Sequence, residues 1–552
     1  MRLMGAVSAL ALGAVAAQAQ TSTNTNDISQ TGNNNTLVID NIRPGNDFNR
    51  STALQNGRDN RAIVIQVGDF NASSVRQVGN LNVITHTQVG DFNRAESNQT
   101  DNDNRSAIRQ QGQGNSATVD TRGSRNVSLV SQGVEAGAGT DFDFSGFFDD
   151  LNGAARTGND NRVTVNQLGD DFYSTIRQRA AAGSAAPASN NSASVLQRGQ
   201  GNSSTIVQES RGNFAEVLQF GGGNSVALQN RSTVEQRTST AAATDTTLSG
   251  NRASVSVAGQ SNVGTVRQDG RGNLAELTQG LGSGLSTELV QTGTLGTRSA
   301  AIAQYGVGSV IRVEQAAGGA SASVWQQAGA PDNRGGNNRA EVAQGTGATG
   351  RDGISAAFFG NAAPVTGDAA SGLSANVTQG NRPAAASWNR AQVLQDGATL
   401  SATIVQAGTG TADLPNLARV AQQGSGNTAT GRQSAGVGPS AAGDPASGQA
   451  GDERFFAGGA RSAELAILQS GSNNSASIEQ RGRGQYARIE QGPGSDNLAT
   501  ILQEGGATNA TAIIRQTGSS NSYNVVQTAP GQYIRVVQTG TGNVVTDVVQ
   551  RP

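Results

Sequence analysis

The side chains that recur at fixed spacing in this chain are amides. Gln stands at 55, 66, 77, 88, 99 and 110, and Asn at 49, 60, 71, 82, 93, 104, 115 and 126, an interval of eleven throughout. A carboxamide neither attacks nor titrates; it offers two N–H donors and a carbonyl acceptor. The chemistry such a pattern supports is hydrogen bonding between like groups. Residues for other chemistry are scarce. The 552-residue chain has no Cys and no Lys, so its 39 basic residues are all Arg, and His86 is its one His. This excludes a thiolate or paired-His metal site and a Walker A loop. Gly345 to Gly350 reads G-x-G-x-x-G after a strand-like arm, but no helix pattern follows it, so a turn is expected there rather than a nucleotide site. His86 falls where the repeat usually holds Val and reads as a core substitution rather than a base. A net charge of −2 gives no reason to expect nucleic acid as a partner. We expect no enzyme activity and no cofactor.

The elements that must position these amides follow from the spacing. The unit reads N-x-A-x-[VIL]-x-Q followed by x-G-x-x. Asn213-Ala215-Val217-Gln219, Asn474-Ala476-Ile478-Gln480 and Asn497-Ala499-Ile501-Gln503 are close copies, and Asn104-Ser106-Ile108-Gln110 is a looser one. The recurring positions alternate at period two, which marks a strand with one buried face; a helix would scatter them around its circumference. The positions between carry charge, such as Arg61, Arg94, Glu216 and Glu276, and so face water. The Gly segment reverses the chain, since Gly tolerates positive φ. Two arms make a strand–turn–strand rung of twenty-two residues, and stacked rungs place residue i above i+22. Asn60, Asn82 and Asn104 then form one column and Asn71 and Asn93 another. Gln77 lies over Gln99, and Gln66 over Gln88 and Gln110. A buried amide without a partner costs about 1–3 kcal/mol, and an in-register column supplies partners at every level. With 35% hydrophobic residues, 4% aromatics and 74 glycines, the chain has little material for a conventional large core. The fold expected is all-β: an elongated β-solenoid of roughly 16–18 rungs, about 80 Å long at ~4.8 Å per rung, with loops extruded from its turns.

The pattern resembles the curlin repeat of curli, the bacterial extracellular amyloid, which reads approximately S-x5-Q-x-G-x-G-N-x-A-x3-Q. The arm N-x-A-x3-Q matches at Asn213, Ala215 and Gln219, and the turn Q-x-G-x-G-N stands intact from Gln197 to Asn202. Two features depart from the family pattern: the first-arm Ser is mostly Asn, and the repeats are several times more numerous than in a typical curli subunit. The resemblance implies a β-solenoid that polymerises into surface fibres of a biofilm matrix, exported through a dedicated outer-membrane pore.

Outside the array, Met1 and Arg2 followed by the small apolar run Gly5 to Ala17 and Ala17-Gln18-Ala19 fit a signal peptide over residues 1–19. The run is too short to span a bilayer, and no other stretch is apolar enough, so the mature chain is expected to be secreted or held at a bacterial surface. Residues 20–29 form a short segment and 30–552 the array. Loops interrupt it near 134–158, 180–190, 238–249, 330–337, 346–375 and 431–460. Three of them carry Phe pairs: Phe147-Phe148, Phe358-Phe359 and Phe455-Phe456. Each pair either pins its loop to the solenoid flank or contacts a partner. Trp325 and Trp388 read as packing residues. The C-terminus, TGNVVTDVVQRP, reads as a plain repeat arm with no cap. Uncapped strand edges invite end-to-end addition of another copy. The function expected is therefore a self-assembling extracellular fibre subunit; the alternative is a monomeric rod-like adhesin of the same fold.

Overall fold

The computed structural model describes residues 24–42, 48–133, 159–179, 189–222, 229–237, 250–293, 297–316, 318–327, 338–345, 371–380, 389–407, 416–434, 463–482 and 484–551. They form thirty-seven strands, β1 to β37 in chain order, and no helix. Inward and outward side chains alternate along each strand. In β4 (Arg61–Val67), Ala62, Val64 and Gln66 are buried, while Arg61 is exposed. That is the pleat of an extended chain with one dry face.

Each strand pairs in parallel with the strand two further along. β1 (Thr25–Asn33) pairs with β3 (Arg50–Arg58), and β2 (Thr36–Ile42) with β4. Odd strands therefore build one sheet of nineteen and even strands another of eighteen. Among the described residues the outermost even strands, β2 and β36 (Tyr533–Thr539), each have one neighbour, so the even sheet is open. The chain climbs as a β-solenoid of eighteen two-strand turns and one further strand, about 90 Å long at ~4.8 Å per turn. Between the sheets lies a thin seam of small and branched side chains such as Ala193 with Val195 and Ala499 with Ile501. Volume is matched across it. In β29 (Thr428–Gln433) Gly431 replaces the usual branched residue, and the Leu465 side chain fills the space where its Cβ would be.

The turns explain the Gly positions. Gly57 adopts φ 129, and a Cβ there would collide with the carbonyl oxygen of Gly79 in the next rung. The residue before a buried Asn is commonly left-handed too, as at Asp59 (φ 56) and Phe70 (φ 58). Asp101, which stands where the repeat has Gly, holds φ 78, and its carboxylate accepts the Gly123 N–H at 3.1 Å. That bond ties the turn to the next rung, and Asp is one of the few residues other than Gly that tolerate this region.

Several boundaries differ from the sequence reading. The array starts at Thr25, five residues before the expected Gln30, because Thr25–Asn33 pairs in register with Arg50–Arg58. β25 (Ser374–Gln379) begins inside the loop expected at 346–375, and β29 runs into that expected at 431–460. Ser189, in the break expected at 180–190, bridges to Asn159. The last arm is not a plain copy: β37 (Val544–Gln550) carries an extra residue, and its register shifts between Tyr523 and Val525, with Asp547 at φ 52. This β-bulge answers the seven-residue step from Asn543 to Gln550, one longer than the repeat. The expected signal peptide, the three Phe pairs and Trp388 lie outside the described residues.

Candidate functional site: the amide ladders and the outermost strands

The glutamines close each inward face and bond along the rod. Gln66 Nε2 donates to Gln88 Oε1 at 2.8 Å, and Gln88 to Gln110 at 3.0 Å. In the odd sheet Gln77 donates to Gln99 at 3.3 Å, Gln197 to Gln219 at 2.7 Å and Gln480 to Gln503 at 2.9 Å. The polarity is uniform: the earlier residue donates Nε2 and the later one accepts at Oε1. The second N–H crosses the seam to a backbone carbonyl, as from Gln77 to Arg61 and from Gln88 to Ala72. Where the column continues, a glutamine thus ties its rung to the next and one sheet to the other.

The asparagines stand in columns and add a bond to the backbone. Asn60 Oδ1 accepts the backbone N–H of Asn82 at 3.1 Å, and Asn82 Oδ1 that of Asn104 at 3.0 Å. Asn71 and Asn93 repeat this at 3.1 Å, as do Asn474 and Asn497. Asn213 is held by Asn191 at 3.0 Å. The Nδ2 group reaches a turn carbonyl in the following rung, from Asn60 to Gly79 at 2.8 Å and from Asn71 to Gly90 at 2.7 Å. Nδ2 also donates along the column, from Asn82 to Asn60 Oδ1 and from Asn93 to Asn71 Oδ1, each at 3.2 Å, so asparagine both satisfies the left-handed turn and forms a side-chain ladder of its own, running opposite in polarity to that of glutamine.

Where a column departs from its consensus, neighbours change with it. Arg298 takes the place of an Asn; it is buried, and its Nη1 donates to Asn273 Oδ1 at 3.3 Å. The next three rungs hold Ala320, Leu373 and Leu400 in that place, packed together. Replacing consecutive amides by apolar groups avoids orphaned partners. His86 is fully buried between Ser73 Oγ and Ser97 Oγ, each at 2.8 Å, and Ser97 meets Ser106 Oγ at 3.0 Å. Burial pushes the His86 pKa down to about 3. These serines stand where other copies hold Ala or Val. Each is visible in sequence as a loose copy, but their convergence requires knowing which arms face each other across the seam. On the surface, Phe48, Phe70 and Phe92 stack along one corner with ring centroids 5.0 Å apart, Phe70 and Phe92 at φ 58. The recurring Asp-Phe-Asn triplet was their signal. Trp325 points outward, its ring lying against the Gly380 backbone.

The outermost strands leave this machinery open. β1 is exposed along its length, and Gln30 donates to Gln55 at 2.5 Å. At the other limit Gln538 Nε2 has only the backbone carbonyls of Ser522 and Asn543 to bond, at 3.2 and 3.4 Å.

The family model of the curlin associated repeat matches residues 188–221 and 462–492. The chain thus carries curlin associated repeats at these two places. The first match spans β13 (Ser192–Gln200) to β15 (Phe214–Gly221), with Gln197, Asn202, Asn213 and Gln219 at its buried posts. In the second, Gln485 stands at an Asn post and still bonds turn carbonyls, those of Glu504 at 2.8 Å and Ala507 at 3.0 Å. Comparison with the curated proteins finds no match. Curlin repeats on a parallel β-solenoid fit a structural protein of curli type. Among the described residues there is no cluster of three or more metal-ligating side chains, and no helix long and apolar enough to cross a membrane.

Proposed function

We propose that this curlin-repeat protein is a self-assembling subunit of an extracellular fibre, exported through an outer-membrane pore and growing by addition of strands to the ends of its solenoid. One observation carries the reading. The glutamine ladders keep one polarity, so Nε2 donors face outward at one limit, from Gln538 and Gln550, and amide oxygens at the other, from Gln30 in β1 and from Asn41, which holds the Gln place in β2 and whose Oδ1 has no donor. A further copy in the same orientation sets these donors against those acceptors. β36 is regular and suits that addition better than the bulged β37, since bulges blunt edges. Diluted from denaturant, the chain free of residues 1–19 is expected to form thioflavin-positive fibres with a lag that preformed seeds remove. Their diffraction is expected to show the ~4.8 Å strand repeat along the axis. The bulge at Asp547 favours a second reading, a rod-like adhesin that does not polymerise. A chain that stays monomeric at micromolar concentration under seeding decides for it.

A further inference from the structure

The two outer faces of the solenoid differ in its C-terminal half. Eight odd strands, from β21 (Ser299–Val307) to β35 (Ser522–Gln527), stack without a register shift. Their first and second outward positions hold sixteen side chains, of which twelve are Ser or Thr, two Asn, one Ala and one Leu. None is charged and none is buried. The third outward column adds one Arg and one Glu, Arg432 and Glu479, paired in register on adjacent strands. The corresponding first two outward positions of the even strands from β22 (Val310–Gln315) to β36 hold six arginines, among them Arg312, Arg339 and Arg390, against two glutamates. The third outward column of the even strands adds Arg515 against Glu314 and Glu490. One face is therefore hydroxyl-rich and neutral, and the other charged, with an excess of arginine.

Three physical terms favour a second copy as the occupant of the neutral face. Covering its first two outward columns desolvates no charge; the charges of the third, Arg432 and a Glu479 paired with Arg481, lie at the margin. Short Ser and Thr side chains lose little rotamer entropy on ordering, and in-register neutral faces of small residues are what pair in dry sheet interfaces. Its extent, about 38 Å along the rod by about 20 Å across, gives about 760 Å² per partner. That is close to the ~800 Å² per partner of a stable specific interface. A copy presenting the even face to another even face would meet like charge.

We propose that this neutral face is a self-association surface on which a second copy docks odd sheet against odd sheet, pairing rods side by side. The pairing is separate from strand addition at the ends and is tested in rods or fibres alike. The chain has no Cys, so a Thr403→Cys variant takes one nitroxide label in the middle of the face, and Arg390→Cys takes one on the opposite sheet. Face-to-face pairing puts two Thr403 labels about 15 Å apart and two Arg390 labels beyond about 30 Å, given sheets packed ~10 Å apart. Adding Ser477→Arg to the Thr403-labelled chain is expected to abolish the short distance while leaving the unfolding midpoint unchanged. Thr403 labels no closer than Arg390 labels overturn the proposal, as does a short distance that survives Ser477→Arg. Single rods whose Thr403 label is immobilised only by an added polysaccharide overturn it too, since the face would then serve a different partner.

Discussion

The two sheets keep their glutamine ladders differently. In the even sheet seventeen glutamines, Gln66 to Gln538, bond in one unbroken series. In the odd sheet Thr121 and Val257 interrupt the column. Insertion is not what breaks it: Gln326 and Gln379, fifty-three residues apart in sequence, still bond at 2.5 Å. Extra chain leaves at a corner and the seam closes beneath it. Substitution does break it, and each break recruits help from the opposite sheet. Beside Thr121, Ser128 Oγ donates to Gln167 Oε1 at 2.7 Å. Beside Val257, Gln219 Nε2 turns to Ser232 Oγ at 3.0 Å, while Gln279 Oε1 is buried without a donor. The rod tolerates added length far better than a missing hydrogen-bond partner, because its cost is local to neighbouring rungs.

The largest effect expected is on the seam that both sheets share. Val217 is fully buried in the odd sheet, and Val217→Asp places a carboxylate there with no partner. A loss of more than about 4 kcal/mol is expected, read as loss of hydrogen-exchange protection in the flanking rungs. The adjacent outward change Glu216→Ala leaves protection unchanged; equal effects would mean that the faces are reversed. Next comes an artificial gap in the unbroken ladder. Gln268→Leu strands Gln236 Nε2 and Gln291 Oε1 together and is expected to cost about 2–4 kcal/mol. If it costs nothing, the even sheet is no more dependent on continuity than the odd one.

A third effect depends on pH and bridges the sheets through His86. Its folded pKa is about 3, against 6.5 for the free group. The unfolded chain therefore takes up a proton near 6.5 that the folded chain refuses until about 3. The stabilisation is complete above 6.5 and falls by up to about 1.4 kcal/mol per pH unit as the pH drops through that window. His86→Val, which matches Val64 and Ile108 in its column, is expected to flatten the slope of the urea midpoint between about pH 6 and 4. An unchanged slope would place the acid sensitivity elsewhere.

Much of this architecture was legible in single arms. Asn213-x-Ala-x-Val-x-Gln219 gives strand, inward face and turn at once, because period two and the left-handed turn are local properties of the chain. The Asn bonds were legible only in part, as amides stacked along a column. Spacing puts Asn60 over Asn82, but only the turn geometry shows that Nδ2 reaches the Gly79 carbonyl while Oδ1 takes a backbone N–H. Nor could Ser73, His86 and Ser97 be joined, or Leu465 matched to Gly431, without the pairing across the seam. The bulge at Asp547 was countable in sequence as one residue too many.

The smallest effect expected is a repair. Val257 lies in register between Gln219 and Gln279, and Val257→Gln supplies an Oε1 for the first and an Nε2 for the second. The new N–H would reach the Gln279 Oε1 that is buried without a donor. Restoring that pair while losing a buried Val side chain sets a hydrogen-bond gain against lost apolar burial, so the net stabilisation expected is only about 1 kcal/mol. Because Ser232 now serves Gln219 in place of the ladder, Ser232→Ala is expected to weaken the parent chain but not the Val257→Gln chain, a coupling that a double-mutant cycle reads directly. Additive effects would show that the odd sheet's gap is filled independently of Ser232.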